Sequence, residues 1–238
     1  MATTIVNPTK WAKITGQATS GVGGFTTART TAGSVLNNPT SDNDTAIYYS
    51  ALSGRGSTTY YFNRSYYYFD LSSTPDLTNL TTASLDINGV SFAESKVVIV
   101  SSSAFGGDGS SNATTGEFYT SLDYSQPYTD TNGQQWNIGA NSFDLDTADV
   151  LTYLKSNPDA FTFAIIDYTH DYGNTSGTPN IIKREGIKFS DHASSVELTL
   201  ITPAATSNID NINGVAYNAS NRFNGVLLSD IGNINGVS

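Results

Sequence analysis

Side chains able to carry reaction chemistry are scarce in this chain. It holds two histidines, His170 and His192, and no cysteine, so thiolate nucleophiles, thiol metal sites and disulfides are excluded. His170 lies within Asp167-Tyr168-Thr169-His170-Asp171, two carboxylates around one imidazole, a set suited to a metal ion or a general base. The plainer reading is a strand end feeding the turn at Gly173-Asn174, where polar residues of this kind collect. Ser190-Asp191-His192 supplies the residue types of a hydrolytic triad, but no G-x-S-x-G elbow accompanies it. Four aspartates, Asp70, Asp86, Asp144 and Asp146, fall on strands or strand ends. Glycoside hydrolysis needs two acids about 5–10 Å apart across a cleft, and nothing singles out a pair; an Asp after Phe reads more simply as a turn-bonding residue. Gly106-Gly107-Asp108-Gly109 is followed by Ser and Asn rather than Lys and a helix, so it is no phosphate loop. These readings lead to an expectation of a non-enzyme without a cofactor. Ser41-Asp42-Asn43-Asp44 alternates residue types that ligate calcium, but the Gly and distal Glu of an EF-hand are missing, so no motif supports a calcium site.

Two constellations suit binding rather than catalysis. Tyr48, Tyr49, Tyr60, Tyr61, Tyr66 and Tyr68 crowd one short stretch of a chain with 14 Tyr. A tyrosine ring stacks on a sugar face while its hydroxyl bonds to ligand or solvent, which makes Tyr66 and Tyr68, together with Trp136, candidate stacking residues. Subunit contact and internal packing are the other two readings of the same tyrosines. The second constellation is a repeat. Asn213-Gly214-Val215, Asn224-Gly225-Val226 and Asn235-Gly236-Val237 recur at a period of eleven (213, 224, 235), each preceded by an apolar residue: Ile212, Phe223 and Ile234. The outer copies extend back to Ile209 and Ile231. Each copy is one strand and one turn, Asn-Gly making the turn, and it cannot bury its apolar face alone. These residues therefore predict a device for assembly or attachment.

The bulk properties narrow the class. Charged residues make up 13% of the 238, aromatics 11%, and the net charge is −10 with 11 Lys plus Arg. That charge content is about half the usual quarter, and Gly, Ser, Thr and Asn take the space. Many short strands joined by polar turns have this composition; a disordered chain is less aromatic and more charged. Acidity with no basic run argues against nucleic acid and anionic membrane surfaces, leaving solubility or scattered calcium sites as its use. No apolar stretch is long enough for a membrane-inserted helix, and Met1-Ala2-Thr3-Thr4-Ile5-Val6 has no signal-peptide pattern. A composition suited to work outside cells, without a usual export signal, fits a virion component made in the host cytoplasm and extracellular after lysis. A signal peptide already removed would resolve the same tension.

Positioning elements follow from periodicity. Lys10–Ile14 and Gly24–Ala28 read as strands near the N-terminus, with Trp11 as core anchor or exposed platform. From Arg64 to Ser72, alternation places Tyr67, Phe69 and Leu71 on one face and Tyr66, Tyr68 and Asp70 on the other. Ala83–Ile87 alternates again, and Lys96–Val100 is apolar on both faces, the mark of a doubly covered strand. Gln135–Ile138 and Asn141–Leu145 precede the one predicted helix, capped by Asp146, running through Val150, Leu151, Tyr153 and Leu154, and stopped at Asn157-Pro158. Phe161–Asp167, Ile181–Phe189 and Val196–Ile201 complete the set. The expectation is an all-β, antiparallel jelly-roll sandwich with one short helix, plus a short C-terminal repeat segment. Its predicted divisions are 1–45 (N-terminal arm and first strands), 46–202 (jelly roll) and 203–238 (linker and repeat).

The motif order resembles a known family. Arg64-x-x-x-x-Phe69-Asp70-Leu71-Ser72, Ala83-x-Leu85-x-Ile87, Trp136 ahead of Phe143-Asp144-Leu145, and Phe161-x-Phe163-x-Ile165 are similar to the DNRLRE-type jelly-roll domains, relatives of carbohydrate-binding modules, over about residues 40–201. Thr usually follows the second Asp-aliphatic pair directly, whereas Asp146 intervenes here. The Ile-Asn-Gly-Val tail resembles the repeats that end many tailed-phage structural proteins. Together the resemblances imply a non-enzymatic fibre, tail or head-decoration subunit of a phage virion. Its expected partners are other virion proteins and copies of itself, three being the expected number, with host glycans as a further partner. The alternative is a carbohydrate-binding module or adhesin.

Overall fold

A computed structural model describes residues 1–19, 23–39, 45–91, 96–129, 132–187, 195–203, and four residue pairs between 211 and 227. Thr3–Thr202 forms one compact unit; Pro203–Ser238, with Met1–Ala2, forms the other.

The first unit is built on thirteen strands: β1 (Ala2–Val6), β2 (Lys10–Thr19), β3 (Ala32–Asn37), β4 (Thr45–Ser53), β5 (Thr58–Asp70), β6 (Thr82–Ser91), β7 (Lys96–Ser102), β8 (Leu122–Pro127), β9 (Gln134–Gln135), β10 (Gly139–Asp144), β11 (Ala160–Asp167), β12 (Ile181–Ile187) and β13 (Val196–Thr202). One layer runs β1-β13-β6, with β10 on the other side of β6; the second centres on β5, which pairs with β2 along one edge and with β4 and β11 along the other. β11 continues to β7 and β8, and β12 links the layers by pairing with both β4 and β6. The sheets are antiparallel and all-β in character, as the alternating patterns predict. Between the layers, Leu85, Ile87, Phe143, Leu198 and Leu200 meet Tyr67, Phe69, Ile99, Phe161, Phe163 and Ile165, all essentially inaccessible to water. Each such side chain contributes roughly 1.5–3 kcal/mol by burial.

Four expectations about elements are corrected: the strand at 24–28, the lone helix, its cap and the strand at 135–138. Within residues 1–45, β2 lies along β5 from Lys10↔Tyr68 to Thr19↔Thr59, and the compact unit starts at Thr3. Gly24–Ala28 is not a strand but part of helix α1 (Gly24–Thr30). The helix packs against β2 at Gly16, where a Cβ would stand 2.1 Å from the Ala28 carbonyl oxygen; glycine there permits the close approach. The helix expected alone is α3 (Ala148–Ser156), joined by α1 and the one-turn α2 (Glu117–Thr120). Thr147, not Asp146, caps α3, its Oγ1 accepting from the Val150 N–H at 3.3 Å. Asp146 instead accepts from the Ala83 N–H and ties the helix entry to β6. Of the expected strand Gln135–Ile138 only Gln135 is strand, together with Gln134 in β9, and Ile138 is 62% exposed.

The second unit contains two minimal hairpins, described by themselves. β14 (Asn211–Ile212) pairs with β15 (Val215–Ala216), and β16 (Arg222–Phe223) with β17 (Val226–Leu227). In both the closing pair is apolar with Val, Ile212↔Val215 and Phe223↔Val226. Among the described residues no helix is long and apolar enough to cross a membrane.

Candidate functional site

β5 is 13 residues long and buried on both faces from Arg64 to Phe69. The face toward the other layer carries Tyr67 and Phe69. The opposite face carries Phe62, Arg64, Tyr66 and Tyr68, and it is closed by α1, α2 and the segment around Phe105, with Val98, Val100, Ala164 and Ile166 alongside. Of the three readings of the tyrosines, Tyr66 and Tyr68 therefore show internal packing. Their rings are 0% and 7% exposed, and Trp136 is 1% exposed against Phe143. The expected stacking role of these three is corrected, because a sugar cannot reach a ring that the fold has already covered. Trp11 is half-buried, its Nε1 donating to the Pro39 carbonyl at 2.9 Å.

The centre of the covered face is a buried ion cluster. Arg64 donates from Nε to Asp171 Oδ2 at 2.6 Å and from Nη2 to Oδ1 at 2.8 Å, a bidentate pair. Its remaining donors reach the main-chain carbonyls of Arg29 (2.7 Å) and Phe118. Those carbonyls belong to α1 and α2, so one guanidinium holds both helices to the sheet. Arg29 donates from Nε to the Asp171 carbonyl at 2.7 Å and lies over the Tyr124 ring at 4.7 Å. Tyr124 donates to Asp171 Oδ1 at 2.9 Å, and Tyr66 to the Phe118 carbonyl at 2.6 Å. Burial is the largest single influence on Arg64 and would lower its pKa; the Asp171 charge, joined by Tyr124, Tyr66 and the hydrogen bond to Asp171, outweighs it, and the net direction is upward, so Arg64 stays ionised. Burial also raises the Tyr66 phenol, with Arg64 opposing, and the Tyr124 phenol, with Asp171 adding to the rise.

The carboxylates and imidazole near Asp167 do not converge. Asp171 belongs to the cluster just described, while Asp167 Oδ1 accepts from the His170 backbone N–H at 2.6 Å, capping a π-type turn at Tyr168–Tyr172. The His170 Nδ1 lies 2.7 Å from the Thr175 carbonyl oxygen, which makes that nitrogen the donor, and its ring stacks on Tyr49 at 3.9 Å. His192 lies outside the described residues, with Ser190 and Asp191. Asp70 Oδ1 accepts from Ser72 N and Oγ, which lowers its pKa, and Asp144 Oδ1 accepts from Asp146 N. Both are turn-bonding residues. Asp86 sits opposite Glu197 across one ladder and Ser142 across the other. Asp86 and Asp144 lie on one face of the β6–β10 ladder, whereas Asp70 ends β5 in the other layer, so the acids are not gathered into one pair. Among the described residues, no group of three or more His, Asp or Glu side chains is placed to hold a metal.

In the repeat, Ile212, Val215, Phe223 and Val226 fall on strands. Ile209, Asn213, Gly214, Asn224, Gly225, Ile231, Ile234, Asn235, Gly236 and Val237 lie outside the described residues. The residue that sequence reasoning missed is Asp171 in its pairing with Arg64. The available signal was an arginine at an inward position of a strand otherwise Tyr and Phe, since a buried cation requires a carboxylate partner.

No protein-family model matches the chain, and a comparison with curated proteins finds no match.

Proposed function

We propose that this chain is a non-enzymatic structural component of a phage virion, a fibre, tail or head-decoration subunit. The sandwich, of jelly-roll type, faces outward, and residues 203–238 form the assembly segment. The observation that carries the reading is the paired hairpins of the eleven-residue repeat. Each has strands of two residues, far below the length and strand number that hold a sheet together in water. Hairpins this short are stabilised by strands added from neighbouring copies or other chains, so strand addition between subunits is the mode of assembly. The partners are other virion proteins and two further copies of the chain.

Light scattering on the full chain and on a chain ending at Thr202 tests this. The full chain should be an oligomer of three, and the shortened chain a folded monomer. A shortened chain that assembles as fully as the intact one overturns the reading. The alternative, a glycan-binding module or adhesin, requires a surface other than Tyr66, Tyr68 and Trp136, all of which are buried.

A further inference from the structure

We infer that the free edge of β1 pairs with β1 of a second copy of this chain, antiparallel about a twofold axis at Thr4, so that the sheet continues from one sandwich into the next. Among the described residues β1 has a strand neighbour on one side, β13, and stands at the end of its layer. The N–H and C=O groups along its other side are a template for one more strand.

The other edges carry features that blunt them. β8 contains Asp123 and Pro127, and its register on β7 breaks between Val100 and Ser101. On β10 the Gln134 amide occupies the Ser142 carbonyl at 2.7 Å, and Asp144 ends the strand. β3 holds Gly33, its register on β2 breaks between Thr15 and Gly16, and the Asn37 amide exchanges hydrogen bonds with the Ala113 main chain at 3.0 and 3.1 Å. β1, Ala2-Thr3-Thr4-Ile5-Val6, has no charge, proline or glycine and four β-branched residues in succession. High β propensity without charge or proline is the composition that pairs strands between chains.

Self-complementarity selects the second copy as the partner. Thr4 and Val6 are half-buried, Val6 against the core, whereas Thr3 and Ile5 face water and Ile5 is 59% exposed. With Thr4 opposite Thr4 of the second copy, alternation places Ile5 opposite Thr3 on the wet face and Val6 opposite Ala2 on the other. No like charges meet, the two threonines share a hydrogen bond, and Ile5 gains cover. A ring of three contains no twofold axis, so β1 joins copies from neighbouring rings, a contact beyond the one assigned to the repeat. A pair of five-residue strands buries less than the roughly 1,000 Å² of a lasting interface. It is brief between free chains and lasts where several copies are held together.

The chain has no cysteine, so single cysteines report the register. Full-length Thr4→Cys, Thr3→Cys, Ile5→Cys and Ser53→Cys, each shown to be folded by its thermal transition, are oxidised at equal concentration and followed on non-reducing gels. Ser53 is exposed at the end of β4, which has strand neighbours on both sides. Directly opposed Cα atoms lie about 4.5–5.5 Å apart, within disulfide reach. Thr3 and Ile5 meet their own counterparts only along a diagonal, about 7–8 Å away. Thr4→Cys should therefore cross-link about tenfold faster than the other three. Adding Ile5→Lys, a charge on the edge, should bring that rate down to the Ser53→Cys level. The inference is overturned if Thr4→Cys is no faster than Ser53→Cys, if Thr3→Cys or Ile5→Cys matches it, or if Ile5→Lys leaves its rate unchanged. These rates report β1 and not the repeat, so failure here leaves the assembly reading of residues 203–238 standing.

Discussion

The two faces of β5 are both buried, yet they are closed by different means. Toward the second layer, Tyr67 and Phe69 meet another regular sheet, whose backbone groups are already paired in ladders. Apolar side chains suffice there. The opposite face is covered by α1, α2 and loops, whose terminal carbonyls arrive without intrahelical partners. Arg64 supplies donors to two of them, from Arg29 and Phe118, and Asp171 neutralises the buried charge this brings in. The outer face of the other layer shows the remaining option: Ser84, Asp86, Glu197 and Thr199 are polar and stay in contact with water. A sheet face covered by irregular chain needs internal hydrogen-bond donors; one covered by a sheet does not.

The sharpest break in that comparison is Arg64→Met. It strands the Asp171 carboxylate and the two carbonyls, and should cost about 3–5 kcal/mol, read from urea unfolding. Adding Asp171→Leu should recover only part of the loss, since the carbonyls of Arg29 and Phe118 still lack donors. A double variant as stable as the parent would show that the helices need no clamp.

Alkaline pH tests both faces at once. Burial raises the phenols of Tyr66 and Tyr124 on the clamped face and of Tyr67 and Tyr128 between the layers. A raised folded-state pKa favours the folded state through its bound proton, so this stability is intact below about pH 10, the ordinary tyrosine value. It declines as pH climbs from there toward the folded-state values, at up to about 1.4 kcal/mol per pH unit for each such tyrosine. The melting temperature should fall on the alkaline side, and Tyr66→Phe or Tyr67→Phe should each flatten that limb. An unchanged slope in both variants would contradict the burial.

Gly16→Ala comes next, at about 1–3 kcal/mol by overpacking. The added methyl meets the Ala28 carbonyl and the Phe118 ring, so chemical-shift changes should concentrate at α1 and α2. The smallest effect sharpens the contrast instead of breaking it. Ile165→Val trims the sandwich face and Ile166→Val the clamped face, each by one methylene and each at about 1 kcal/mol. Equal losses in thermal unfolding would place the difference between the faces in their polar groups; a much larger loss at Ile166 would place it in packing.

Much of the scaffold was legible from periodicity. Alternation from Arg64 to Leu71, the doubly apolar Val97–Val100 and the strands at Phe161–Asp167 and Val196–Ile201 all appear as expected, because a period of two is a property of neighbouring residues. The misreadings have local causes too. Phe25-Thr26-Thr27 has the β-branched and aromatic makeup of a strand, yet packing of Phe25 on Tyr49, Tyr60 and Phe62 and the close approach at Gly16 favour a helix there. The N-cap moved from Asp146 to Thr147 because the Asp146 carboxylate found the Ala83 N–H, 63 positions away.

By itself, the sequence determined the β class, the two-sided burial of its central strands, the exclusion of thiol chemistry and the eleven-residue repeat, since all of these are carried by composition or by short-range spacing. Tertiary structure alone decided which tyrosines are hidden and which acid meets Arg64. Those outcomes depend on contacts between residues 35 to 107 positions apart at Arg64. No local pattern encodes them, because a strand's alternation states that a face is covered without stating what covers it.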